Sequence, residues 1–297
     1  MTWPREISVF KNKDKSGILV ARDTDMASGP EKEIVLVTGK SLGIIESSGI
    51  NNSTGGTNGI GLDTVIYIAS ALPNYHVIIG ARNLSKGEKV LKEVQAKSGI
   101  QGTISLVQID ATDDSSIEGA AKKVEQEFNR LDVLINNAGI CPEKEEGQWP
   151  NRETLRTTFE TNVFGPTIVT QLFVPLLKRA SNPRIINVSS TLGSISFIAD
   201  HSGAFSGVKY PGYRMSKAAL NMLTAYQYYQ LKPEGFKVWT YCPGFVVTDL
   251  GNDREVRKEN GIESSETSAK GLLQIVQGER DADVGGFIGR YGQKYEW

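Results

Sequence analysis

The sequence predicts a doubly wound α/β domain, with one parallel sheet covered by helices on both faces and three layers in all. Two patterns say so. Short apolar runs rich in Val and Ile, the kind a strand buried on both faces requires, recur along the chain. Between them stand stretches of about ten residues or more, long enough for the right-handed helical crossovers that join parallel strands. The size agrees, because 297 residues, 39% hydrophobic and 23% charged, suit a single globular domain.

The elements follow in order. Residues 1–31 are polar, hold Gly17, Gly29 and Pro30 and show no periodicity, so they read as an unstructured leader to a domain over 32–297. Ile34 to Val37 is the first strand. A glycine-rich stretch leads to a helix over Leu62 to Leu72 and a strand at His76 to Ile79. Ser85 to Lys97 is a helix with Val90, Leu91 and Val94 on one face. After a strand at Ile104 to Ile109, Asp113 and Asp114 cap a helix reaching Asn129, with Ile117, Ala121, Val124 and Phe128 inward. The alternation then repeats: strand Val133 to Ile135, one long helix Arg152 to Arg179, strand Arg184 to Val188 and helix Tyr213 to Gln230. Strand Lys237 to Tyr241, helix Ala269 to Val276 and a short strand Gly286 to Arg290 complete it. Ligands on such sheets bind outside the carboxyl ends of the strands, so chemistry is sought just after each strand.

Charge and composition narrow the partners. With 33 basic and 34 acidic side chains, a net charge of -1 removes the electrostatic case for nucleic acid or an anionic membrane. No run approaches the roughly 18 apolar residues of a membrane span, and the N-terminus lacks the apolar core of a secretory signal. A cytoplasmic protein is expected. Cys141 and Cys242 are too few and too far apart for a disulfide framework or a thiolate metal site, and His76 and His201 stand alone. No metal and no Ser-His-Asp triad are expected.

Thr54-Gly55-Gly56-Thr57-Asn58-Gly59-Ile60-Gly61 runs into the helix at Leu62. Glycines at such a turn let the backbone approach a pyrophosphate while the helix start supplies partial positive charge, the pattern of a Rossmann-type dinucleotide site. Gly39-Lys40-Ser41 does not make a P-loop, because Ile34 stands where its first glycine is required. After the second strand comes Ala81-Arg82-Asn83, with no acid for a ribose 2'-hydroxyl and Arg82 placed for a 2'-phosphate. A charge-assisted hydrogen bond is worth roughly 1.5–3 kcal/mol, so NADP(H) is expected over NAD(H); a solvated surface role for Arg82 is the alternative.

Tyr213 and Lys217, four apart, face the same way on one helical turn. An ammonium beside a phenol favours the phenolate, which brings Tyr213 toward working pH as a general acid or base.

Asn136-Asn137-Ala138-Gly139 follows the fourth strand, Ser189-Ser190 the fifth, Tyr213-x-x-x-Lys217 opens the next helix, and Pro243-Gly244-Phe245-Val246-Val247-Thr248 follows the sixth strand. With the glycine motif, this ordered set resembles the short-chain dehydrogenase/reductase family, its carbonyl-reductase-like members above all, over Ile34 to Arg290. The resemblance implies NADPH-dependent reduction of a ketone or aldehyde, or the reverse alcohol oxidation. Tyr213 is then the proton donor, Lys217 also bonds the nicotinamide ribose, Ser190 polarises the carbonyl, and Asn162 anchors a water-linked proton relay. Gly39, Gly55, Gly59 and Gly61 form the phosphate loop, and Ile60, Val246 and Thr248 close on the pyrophosphate and nicotinamide amide. Asn137 meets the adenosine ribose and Asp110 the adenine. Ser189 remains a rival for the serine role, since adjacent strand residues point oppositely; Asp110 as a turn residue and Asn162 as a plain helix residue also stay open. Tyr210 does not compete with Tyr213, because Arg214 stands four residues on and tunes a phenol less readily than lysine.

Phe197, Phe205, Tyr210 and Phe245 near the mouth suggest a small apolar carbonyl or alcohol substrate, although they serve equally well as packing. Ser190 and Tyr213 stand further apart than is common in the family, and the extra residues from Ile198 to Pro211 lie beside the mouth. By resemblance they could obstruct the helix face many members use to oligomerise, which leaves monomer and homo-oligomer both open. The polar run Gly251 to Gly261 is expected to be mobile until ligand binds.

Val37-Thr38-Gly39 already begins the glycine motif, which continues only at Gly56; removing residues 40–55 restores Val-Thr-Gly-Gly-Thr-Asn-Gly-Ile-Gly. The edges of that segment can be encoded as a splice donor and acceptor. It is therefore expected to be an insertion in the phosphate loop, a translated intron, with the chain properly starting at Met26. Its alternative consequence is a catalytically impaired nucleotide-binding or scaffold protein.

Overall fold

Among the described residues, eight strands make one sheet in the order β3-β2-β1-β4-β5-β6-β7-β8. In this computed structural model the described residues are 32–39, 59–143, 147–200, 207–251 and 254–297. The leader over 1–31, the segment 40–55 with Gly55, and His201 and Phe205 lie outside them. The chain runs β1 (Glu33–Thr38), α1 (Ile60–Ala71), β2 (Tyr75–Ala81), α2 (Leu84–Gln95), β3 (Thr103–Gln108), α3 (Asp114–Phe128) and β4 (Val133–Asn136). Then come α4 (Arg152–Phe159), a π-helical turn (Glu160–Phe164), α5 (Gly165–Leu177), β5 (Arg184–Val188), α6 (Ile195–Ala199) and α7 (Pro211–Leu231). The remainder is β6 (Lys237–Cys242), α8 (Arg254–Glu259), α9 (Glu266–Val276), β7 (Phe287–Gly289) and β8 (Lys294–Tyr295).

Alternation along β1 sets the layers. Val35 and Val37 join a core with Val65 and Ile68 of α1, Val90 of α2 and Leu272 and Ile275 of α9. Ile34 and Leu36 point the other way, to Ile117 and Val124 of α3 and Val169 and Phe173 of α5. Cutting the fully buried Phe173 to Ala would cost roughly 3–5 kcal/mol. The helices start where the sequence offers caps: Asn83 accepts from Lys86 N–H at 3.0 Å, Asp113 from Ser115 N–H at 3.0 Å and Asn151 from Thr154 N–H at 2.8 Å. β1 pairs with β2 on one side and β4 on the other, Thr38 lying opposite both Gly80 and Asn136. The chain winds outward from β1 and returns past it, so a crevice opens over the ends of β1 and β4. No helix among the described residues is long and apolar enough to cross a membrane.

Three expectations are corrected, and a fourth segment gains an element. The long helix from Arg152 is broken by the π turn and ends at Leu177. The helix carrying Tyr213 opens earlier, at Pro211, whose fixed φ and missing N–H suit a first position. The sheet is not wholly parallel, because β8 pairs antiparallel with β7. The run after Gly251 contains α8, whose Arg257 is buried. Elements as short as α6, α8 and β8 carry too few residues for a period to show in sequence.

Candidate active site

The candidate residues sit where the C-terminal ends of β1, β4, β5 and β6 meet the start of α7. Thr38 ends β1 and ties the β4 loop to it: Asn137 N–H donates to Thr38 Oγ1 at 3.2 Å, and Asn137 Nδ2 donates to the Thr38 carbonyl at 3.1 Å. Gly59 stands at the cap position of α1 with extended backbone, and α1 begins at Ile60. Its neighbour Gly61 packs against Asn137 so closely that a Cβ would lie 2.6 Å from Asn137 Nδ2. A side chain there would collide with Asn137 and push α1 off the β4 loop.

β5 separates the two serines. Ser189 is buried and donates to Asn221 Oδ1 at 2.5 Å, away from the crevice. Ser190 accepts from Leu192 N–H at 3.1 Å, and its hydroxyl lies near enough to the Tyr213 phenol to favour the ionised form. Of the two, Ser190 is the one that influences the phenol of Tyr213. Lys217, one turn on from Tyr213, donates Nζ to the Val188 carbonyl at 2.9 Å and lies 5.6 Å from the Tyr213 ring centroid. Gly139 of the β4 loop faces the same spot, where a Cβ would lie 3.3 Å from Lys217 Nζ and 3.5 Å from Asn162 Oδ1.

Burial sets the protonation of this pair. Tyr213 is 7% exposed, and desolvation holds its phenol well above the usual range, helped by Cys141 and Cys242 and opposed by Ser190 and Arg257. Desolvation also pushes the Lys217 ammonium down to about 8. The expected drop in the tyrosine pKa is thus reversed in the protein alone, because the cost of a buried phenolate exceeds what Ser190 and Arg257 return.

Asn162 is fully buried in the π turn, a helical irregularity common at functional sites. Its Oδ1 accepts from Ile140 N–H at 2.8 Å, and its Nδ2 donates to the Ile140 carbonyl at 2.8 Å and to Ser216 Oγ at 3.0 Å. Ser216 Oγ in turn donates to the Tyr213 carbonyl at 2.7 Å.

The other candidates lie farther along the crevice. Gly39 closes β1, donating to the Gly80 carbonyl at 3.3 Å. Arg82, half-exposed after β2, has its Nε 3.9 Å from Asp110 Oδ2. Asp110 Oδ1 accepts from Thr112 N–H at 3.0 Å and Thr112 Oγ1 at 2.8 Å, so this carboxylate also builds a turn. Val246 and Thr248 follow β6 and are buried.

Two residues that sequence reasoning missed are part of this assembly. Arg257 of α8 donates to the Val246 carbonyl at 2.8 Å, to Thr248 Oγ1 at 3.2 Å and to the Leu250 carbonyl at 2.5 Å, with Phe245 stacked 4.5 Å away. Glu143, in the β4 loop, accepts from the backbone N–H groups of Gly212 and Tyr213 at 3.1 and 2.7 Å. Neither has a sequence signal, since each acts on residues brought near by the fold.

The family model for short chain dehydrogenases matches residues 53–259. The short-chain dehydrogenase anuI of Penicillium roqueforti is 36% identical over 230 residues, covering 75% of this chain and 86% of the relative. The short-chain dehydrogenase/reductase tropE of Talaromyces stipitatus is 30% identical over 256 residues, covering 81% and 94%. Among solved structures, the NADPH-bound carbonyl reductase from chicken fatty liver superposes with a TM-score of 0.71 at 28% identity, covering 90% of this chain and 100% of that one.

Proposed function

This chain belongs to the short-chain dehydrogenase family, and we propose that it reduces a ketone or aldehyde with NADPH, or oxidises the corresponding alcohol, in the cytoplasm. The observation that carries the reading is the buried Lys217, its Nζ held by the Val188 carbonyl 5.6 Å from the Tyr213 ring, with the Ser190 hydroxyl near the phenol. Three features support a dinucleotide in the crevice. Gly61 lets α1 pack directly on Asn137, the first N–H groups of α1 have no acceptor within the helix, and the half-exposed guanidinium of Arg82 after β2 would meet a 2'-phosphate. Gly39, Gly59, Ile60 and Gly61 would hold the pyrophosphate with Val246 and Thr248, Asn137 the adenosine ribose, Asp110 the adenine, and Lys217 the nicotinamide ribose. The NADPH-bound state of the chicken carbonyl reductase favours the same cofactor here.

The bound cofactor supplies the hydride; this chain's residues handle the proton and the charge. Ser190 donates a hydrogen bond to the substrate carbonyl oxygen and polarises it. Tyr213 gives that oxygen its proton as negative charge develops there. Its raised pKa keeps the phenol protonated at neutral pH, the form needed for reduction. Lys217, still largely protonated at pH 7, supplies positive charge beside the ring. Asn162 holds the β4 loop against α7. Apolar surface at Phe245 and Ile195 suits an apolar substrate.

The test is oxidation of NADPH with a panel of carbonyl compounds, Tyr213→Phe serving as control. Turnover with at least one compound and near-complete loss in the control are expected; undiminished turnover in the control would overturn the mechanism.

A further inference from the structure

The start of α7 has a donor shortage of acceptors that its own sequence does not relieve. The first N–H groups of a helix have no acceptor within it. Pro211 has no N–H to satisfy, and Tyr210, at the cap position, makes no side-chain capping bond. Arg214 N–H reaches the Tyr210 carbonyl at 2.8 Å. Gly212 and Tyr213 remain, and one distant carboxylate takes both: Glu143 Oε1 at 3.1 Å and Oε2 at 2.7 Å. The packing makes room for it, since a Cβ on Gly212 would lie 3.3 Å from Glu143 Oε2 and 3.2 Å from Pro150 Cγ. A carboxylate here also faces the positive end of the helix.

The opposite side of the same residue is held by the same loop. The Tyr213 carbonyl accepts from Ser216, Ser216 accepts from Asn162, and Asn162 is bonded to both the N–H and the carbonyl of Ile140. Ile140 and Glu143 lie in one stretch of the β4 loop. The two peptide groups flanking the Tyr213 Cα are therefore braced, directly or through Asn162 and Ser216, by the segment that follows β4.

We propose that Glu143 is a positioning residue, its carboxylate fixing the backbone of Gly212 and Tyr213 and so the aim of the Tyr213 hydroxyl at the substrate carbonyl. This rests on the reading of Tyr213 as proton donor. A misplacement of about 1 Å can cost on the order of a hundredfold in rate, so the effect belongs in kcat and not in binding.

Glu143→Ala, Glu143→Gln, Glu143→Asp and Tyr213→Phe, made in the full chain, test it with two readouts. In steady-state kinetics, Glu143→Ala is expected to lower kcat about ten- to hundredfold, with KM and NADPH affinity within about threefold of the parent. Glu143→Gln, which keeps one acceptor oxygen at the same reach and can take one of the two N–H groups, restores part of kcat, whereas Glu143→Asp, one methylene shorter, does not. In amide hydrogen exchange, the peptide over residues 211–216 exchanges faster in Glu143→Ala and is unchanged in Tyr213→Phe. Unchanged kcat in Glu143→Ala overturns the proposal, as does unchanged exchange, or a loss shared equally by the Ala and Gln variants with KM rising in step. If Glu143→Ala does not fold, the Gln and Asp pair decides by the same criteria. Full turnover in Tyr213→Phe would instead remove the proton-donor reading, while exchange still reports separately whether Glu143 holds the helix start.

Discussion

Lys217 donates its Nζ to the carbonyl of Val188 at 2.9 Å, with only 3% of the residue exposed. A cation is thus held at the end of β5 by a neutral acceptor, and desolvation brings its pKa from 10.5 to about 8.

That shift makes Lys217 a stability cost with a defined pH window. Its folded pKa lies below the unfolded value, so between about 8 and 10.5 the unfolded chain binds more protons and stability rises with pH. The penalty is complete below about pH 8 and fades toward 10.5. Lys217→Met should be more stable than the parent at pH 7, on the order of 1–2 kcal/mol after loss of the Val188 bond, and inactive. Urea unfolding at pH 7 and about pH 10 checks it: the advantage should shrink at the higher pH, and a constant difference would contradict it.

The two adjacent serines should separate stability from activity. Ser189→Ala strands the buried Asn221 Oδ1, at a cost of about 1–3 kcal/mol, and should leave kcat within about threefold. Ser190→Ala removes the hydroxyl near the Tyr213 phenol and should lower kcat about a hundredfold with little change in melting temperature. The opposite pattern would assign the serine role to Ser189.

Arg82 should govern cofactor choice. Arg82→Ala is expected to weaken NADPH about ten- to hundredfold and to leave NADH nearly unaffected, since only the 2'-phosphate distinguishes them. Fluorescence titration with both nucleotides reads this directly. Equal weakening of the two would mean that Arg82 supports the loop and not the phosphate.

Arg257 gathers three oxygens from Val246, Thr248 and Leu250 with one planar guanidinium. A lysine cannot match that fork, so Arg257→Lys should raise the KM for NADPH about as much as Arg257→Ala. Its charge also helps lower the Tyr213 pKa. Removing it raises that pKa further, and the rise of alcohol oxidation with pH should move to higher pH in both Arg257→Ala and Arg257→Met. An unmoved profile would leave Arg257 a purely mechanical role.

Residues 40–55 separate Gly39 from the rest of the glycine motif. We propose that they are an insertion, a translated intron, and that a chain lacking them binds NADPH at least tenfold more tightly, because the phosphate loop then follows β1 directly. Equal affinities of the two forms would refute the functional part, and a dominant transcript carrying the segment would refute its origin.

The order of strands and helices, the crevice over the strand ends and the Tyr213–Lys217 pair were legible in the sequence by itself. They rest on local signals: β-branched runs, caps such as Asp113, and a spacing of four on one helix face, all of which the chain writes within a few residues. The π turn at Asn162 was not legible, because one inserted residue shifts the helical phase by a single position, too little to read against the short apolar patterns on either side. Nor were the choice between Ser189 and Ser190, the burial that raises the Tyr213 pKa, and the bracing by Glu143 and Arg257. Each depends on which groups the fold carries together from distant segments, and on how much water it leaves between them. Only tertiary structure sets those two quantities, and they decide what the tyrosine can do.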